Sequence, residues 1–89
     1  MNKYKLVYIE WEDAVDDTSI GWKTFDEAMD WCEKSTWIVR ETGFILKEDK
    51  HGIVLASKLE PGGESYEATF KGITRIPKMW IRKRKEIKI

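Results

Sequence analysis

Residues 36–48, TWIVRETGFILKE, run through 49–52, DKHG, into 53–59, IVLASKL. Two stretches rich in β-branched and aromatic residues flank a short polar turn, and that arrangement predicts a β-hairpin. Gly52 falls where a tight turn calls for positive φ. Gly43 is expected to mark a bulge or bend in the first strand. Downstream, Pro61-Gly62-Gly63 predicts a second turn. Residues 65–71 then read as a strand with Tyr66, Ala68 and Phe70 on one face. Ile76-Pro77 is expected to break the ladder, because proline lacks the amide hydrogen and holds its predecessor extended. Residues 80–89 read as the last strand, with Ile81, Ile87 and Ile89 on one side and Arg82, Arg84, Glu86 and Lys88 on the other.

Upstream, residues 4–11, YKLVYIEW, alternate with Val7, Ile9 and Trp11 on one side. Leu6 and Tyr8 on the opposite side predict a central or doubly covered strand. Residues 12–21 form a polar loop rich in acids. Thr24 and Glu27 have the spacing of a capping box, and Asp26 and Glu27 suit the positive end of a helix dipole. Phe25, Ala28, Met29 and Cys32 then recur at helical spacing as one apolar face, bordered by Trp31. Asp30 and Glu33 lie on the polar side, and the helix should stop near Ser35. The fold class is therefore α+β, a single domain over residues 1–89. One helix packs on a strongly bent antiparallel sheet of four to five strands in the order β-α-β-β-β-β. The first and last strands are placed to pair. The ending, a strand, a glycine, Ile-Pro-Lys and a basic strand, is similar to the end of small SH3-like and Sm-like barrels, where a short helical turn joins the last two strands.

Composition narrows the class. The chain of 89 residues is 42% hydrophobic and 36% charged, with 16 basic and 16 acidic side chains. A chain this short builds one modest core. Of Trp11, Trp22, Trp31, Trp37 and Trp80, three are expected in that core, with one or two exposed, because indoles bury large areas and also favour binding hot spots. A single cysteine, Cys32, excludes an internal disulfide. The polar start has no signal-peptide stretch, and no apolar run reaches the length of a membrane span, so the cytoplasm is the expected compartment.

The zero net charge conceals polarity. Lys71, Arg75, Lys78, Arg82, Lys83, Arg84, Lys85 and Lys88 gather in the last nineteen residues with Glu86 as their only acid, and the preceding seventy carry the excess of acids. Catalytic and metal-binding patterns are missing. His51, the one histidine, sits in a turn, and Cys32 on an apolar helix face reads as an inert thiol. Asp13, Asp16 and Asp17 lack calcium-loop spacing and read as a solvated loop, with a hard-cation site or a docking patch as alternatives. Gly62-Gly63 belongs to a hairpin and not to a phosphate loop. No enzyme, cofactor or metal is expected.

The candidate site combines Trp80 with Arg75, Lys78, Arg82, Lys83 and Arg84. Arginine forks grip phosphate, and an indole stacks on a base or a guanidinium. The competing readings are a core-plugging Trp80 beside a solvated edge strand whose cations block aggregation, and a docking surface for an acidic protein. Trp22 is the second candidate, either a staple on the helix start or a side chain presented to a ligand.

Tyr8-Ile9-Glu10-Trp11-Glu12-Asp13, Gly21-Trp22, the acidic amphipathic helix, Gly43-Phe44 and Ile76-Pro77-Lys78 resemble small proteins encoded by phages and prophages of Gram-positive hosts. That resemblance implies action by binding: occluding a host enzyme, sequestering a nucleotide signal of immunity, or binding nucleic acid. The expected function is a non-enzymatic phage accessory protein with an anti-defence role. It binds a host protein or traps a phosphorylated nucleotide in the host cytoplasm. The alternative is an SH3-like nucleic-acid-binding module. The charge dipole also admits a homo-oligomer, and no membrane partner is expected.

Overall fold

The computed structural model describes residues 4–35 and 37–89. The strands are β1 (Leu6–Glu12), β2 (Ile38–Glu48), β3 (Gly52–Glu60), β4 (Thr69–Pro77) and β5 (Ile81–Ile87), with one helix, α1 (Phe25–Lys34), between β1 and β2. All pairings are antiparallel, in the sheet order β4-β3-β2-β1-β5. The fold is α+β, and the first and last strands pair as the sequence predicts. A short 3-10 turn, Lys78–Trp80, joins β4 to β5. No ladder joins β4 to β5 among the described residues, so the sheet stays open and does not close into a barrel.

Long β2 explains how an open sheet still makes a core. Its first part pairs with β1 from Glu12↔Ile38 to Leu6↔Phe44, and its second part pairs with β3 from Phe44↔Ala56 to Glu48↔Ile53. The extra residue lies between Ile45 and Lys47. The bulge is therefore at Leu46 and not at Gly43. Gly43 is instead the close-approach point: a Cβ there would lie 3.0 Å from both Leu55 Cβ and Ala56 O. Gly52 likewise does not have positive φ. A Cβ at Gly52 would lie 2.7 Å from the Ile76 carbonyl oxygen, so contact with β4 requires the glycine.

Val7, Ile9 and Trp11 of β1 face inward with Ile53, Leu55 and Ile76, and Val39, Ile45 and Ile81 pack around them. Residues directly opposed in an antiparallel ladder share a face, which is why this set converges. The outer side of β1 is apolar at Leu6, opposite Phe44 and Ile87, and polar beyond it. Tyr8 donates to Glu10 at 2.5 Å, and Glu10 pairs with Arg40 at 3.7 Å. The strand is central, flanked by β2 and β5, but it is not covered on both faces.

Two boundaries differ from expectation. β4 begins at Thr69, leaving Tyr66 and Ala68 in the loop, and it runs through Ile76 to Pro77. Proline is tolerated there because β4 is an edge strand and Pro77 is its final residue, opposite Gly52. A register shift opposite Glu10 and Trp11 places Arg82 as the extra residue of β5. Ile81 therefore faces the core opposite Trp11, whereas Ile87 lies opposite Leu6 on the other face.

The connection between β1 and β2 is an arm. Asp13 N donates to Trp37 O at 2.8 Å, which holds its two legs together at the root. The capping box is formed: Thr24 Oγ1 accepts from Glu27 N at 3.2 Å, and Thr24 N donates to Glu27 Oε1 at 3.0 Å. No residue of α1 is buried, and the described residues extend 62 × 24 × 22 Å. Of the five tryptophans only Trp11 joins the buried core. Trp31 and Trp37 are half-buried, and Trp22 and Trp80 are exposed.

Candidate functional site

The predicted basic cluster divides into two parts. Arg84 lies opposite Ile9, and Glu48 lies opposite Ile53, so both rise from the inner face of the bent sheet. Arg84 grips Glu48 with two nitrogens, Nη1 on Oε2 and Nη2 on Oε1, the second at 3.0 Å. Lys78 adds a third bond to Glu48 at 2.5 Å. The two cations hold the Glu48 carboxyl far below its usual range, at about 2, with Arg84 the larger influence. The pairing in turn raises the Arg84 pKa. These three side chains latch β2, β5 and the 3-10 turn across the open sheet. Arg82 is also engaged, donating to Glu12 at 2.8 Å and to the Met79 carbonyl at 2.7 Å.

Lys83, Lys85 and Arg75 form no ion pair among the described residues. Lys83 and Lys85 lie opposite Glu10 and Tyr8 on the outer face of edge strand β5. Arg75 belongs to the opposite edge strand, β4, and lines a shallow cleft with Lys47, Asp49 and Val54. The geometry thus does not assemble the predicted cations around one ligand. Trp80 stacks on Trp11 with ring centroids 6.2 Å apart and planes 15° from parallel, yet it remains 37% exposed. The buried Trp11 indole N–H has no acceptor among the described residues.

Trp22 is no staple. It is fully exposed, and Ile20 beside it is too. Lys23, between Trp22 and the cap, is held by Asp17 at 3.2 Å. Phe25 is 76% exposed and Met29 43%, so Ile20, Trp22, Phe25 and Met29 are four uncovered apolar side chains on the arm. Acids border them. Residues 13–34 contain seven acids and two bases. Hydrogen bonds from Ser19 are the main reason Asp17 titrates low, with Lys23 adding to them. Among the described residues no cluster of three or more His, Cys, Asp or Glu side chains is placed to hold a metal. His51 is exposed in the β2–β3 turn, whereas Cys32 is half-buried on α1.

Sequence reasoning missed a groove at the other end of the sheet. Tyr4, Phe44, Leu59, Tyr66, Phe70 and Ile89 line a space of about 940 Å³, with Tyr4 and Phe70 edge to face at 5.2 Å. These residues come from both chain ends and two hairpins, so no local pattern signals the groove. No helix among the described residues is long and apolar enough to cross a membrane. Comparison with family models, curated proteins and solved structures gives no match for this chain.

Proposed function

We propose that this chain is a non-enzymatic phage accessory protein that acts in the host cytoplasm by binding a host protein. The arm is the docking element. The single observation behind this reading is that Ile20, Trp22, Phe25 and Met29 stand uncovered on a projecting element. Four large apolar side chains left uncovered within ten residues of one element give it the apolar area an interaction site needs. Fully burying one large apolar side chain is worth about 1.5–3 kcal/mol. Three or four together offset a substantial part of the roughly 4–15 kcal/mol lost on association. The acids bordering the surface select the partner's chemistry, an apolar groove rimmed by lysine or arginine. The phosphate-trapping reading is weaker because Arg82, Arg84 and Lys78 are already occupied by Glu12 and Glu48.

The test is affinity capture from host cells with the native protein and a Trp22→Ala/Phe25→Ala variant, followed by reconstitution with the purified host protein. One stoichiometric partner, bound by the native chain and lost by at least tenfold in the variant, is the expected result. Equal binding by both chains overturns the role of the arm. Calorimetric binding of a phosphorylated nucleotide that is lost in Lys83→Glu would move the function to the basic edge. A steep salt dependence of binding to single-stranded nucleic acid would favour the nucleic-acid module.

A further inference from the structure

We propose that the free protein is a two-fold dimer in which each copy lays its arm on the Met79–Trp80 turn and basic β5 edge of the other. The arm presents apolar residues in an acidic border, with seven acids and two bases over residues 13–34. The turn presents the complementary arrangement. Met79 is 78% exposed and Trp80 37%, and of the five bases in residues 78–85 Lys78, Arg82 and Arg84 are paired within the chain to Glu48 and Glu12. Lys83 and Lys85 of this segment have no ion partner among the described residues, so they are open to a second chain's carboxylates.

Topology favours exchange between copies over folding back. The arm's root and the receiving turn lie at the same end of the sheet. Trp11 stacks on Trp80, Glu12 pairs with Arg82 at 2.8 Å, and Asp13 is bonded to Trp37 at 2.8 Å. An arm folding onto its own turn would have to reverse at that bonded root. A two-fold axis beside this end instead sets each arm against the other copy's turn and satisfies both contacts at once. Pairing of the two helices with each other is the poorer solution, because it brings two acidic arms together. The proposal concerns the free protein and stands whether or not the host-partner reading does. A host protein that captures the arm must first displace the second copy.

Two charge-reversed chains test it using purified protein alone. In Asp26→Lys/Asp30→Lys helix α1 changes from four acids and one base to two acids and three bases, and in Lys83→Glu/Lys85→Glu the two unpaired cations on the outer face of β5 become acids. Each alone sets like charges at both contacts, whereas a mixed pair restores opposite charges at both. Sedimentation equilibrium at low salt should show a native dimer, each variant at least tenfold weaker in self-association, and a recovered heterodimer when the two are mixed. Phe25→Ser/Trp22→Ser should be monomeric with the native far-ultraviolet spectrum of the sheet. A native chain that is monomeric throughout overturns the proposal. So does a dimer that both charge variants leave intact, which would place the interface elsewhere.

Discussion

Val7 and Ile9 of β1 are 0% exposed, and Trp11 is 9% exposed, whereas Phe25 and Met29 of α1 are 76% and 43% exposed. Both elements carry apolar residues at their own structural period, and both are well formed locally. Their fates differ because β1 has hydrogen-bonded neighbours on both sides, which bring other apolar side chains over the same face. α1 has no such neighbour. Its order rests on a capping box and on local pairs such as Lys34–Asp30 at 2.9 Å. A ten-residue helix is marginal when isolated, because the cost of nucleation is spread over few hydrogen bonds. The comparison teaches that amphipathic patterning fixes which face seeks burial, but not whether the same chain supplies the cover.

The largest test of this contrast is Ile9→Ala. It removes atoms from the centre of the core and should cost about 2–5 kcal/mol in denaturant unfolding. Phe25→Ala, an equally drastic truncation on the arm, should leave the unfolding free energy of a diluted, monomeric sample almost unchanged. Equal losses would mean that the arm is packed on the sheet in solution.

A middle effect belongs to the latch. Glu48 has an ordinary carboxyl pKa of about 4.5 when unfolded and a value of about 2 when folded. The depressed folded value means that its contribution is complete above the unfolded pKa and is lost as pH falls toward the folded one. Its side chain is 27% exposed, so the pairing is partly screened and Glu48→Gln should cost about 1 kcal/mol at neutral pH. The native protein should lose that increment between about pH 5 and pH 2, and the variant should show a correspondingly flatter acid limb. A parallel pH profile in both proteins would show that the latch contributes nothing.

The smallest global effect is expected from Thr24→Ala. It removes the hydroxyl half of the capping box, so the helical circular dichroism signal should fall while the unfolding midpoint of the sheet stays in place. Amide exchange should sharpen the same division, with α1 exchanging through local opening and β1 only through global unfolding. A midpoint that moves with helix content would join the two regions into one cooperative unit.

Local chemistry made much of this molecule legible in advance. The alternation of Val7, Ile9 and Trp11, the Thr24–Glu27 cap and the turn at 49–52 each report forces acting within a few residues. The same reasoning recovered the element order and the pairing of first and last strands. Properties that depend on distant residues were not legible. The bulge at Leu46, the extra residue Arg82 and the 2.7 Å approach of a Gly52 Cβ to Ile76 are set by how neighbouring strands cross. The predicted basic cluster shows the same limit. The sequence determined that cations gather near the end of the chain, because composition and order are local facts. Folding in three dimensions is what latches Arg84 and Lys78 onto Glu48, binds Arg82 to Glu12 and leaves Trp22 and Phe25 uncovered. Charge pairing and burial are settled by the side chains that folding brings within reach, and those lie far apart along the chain.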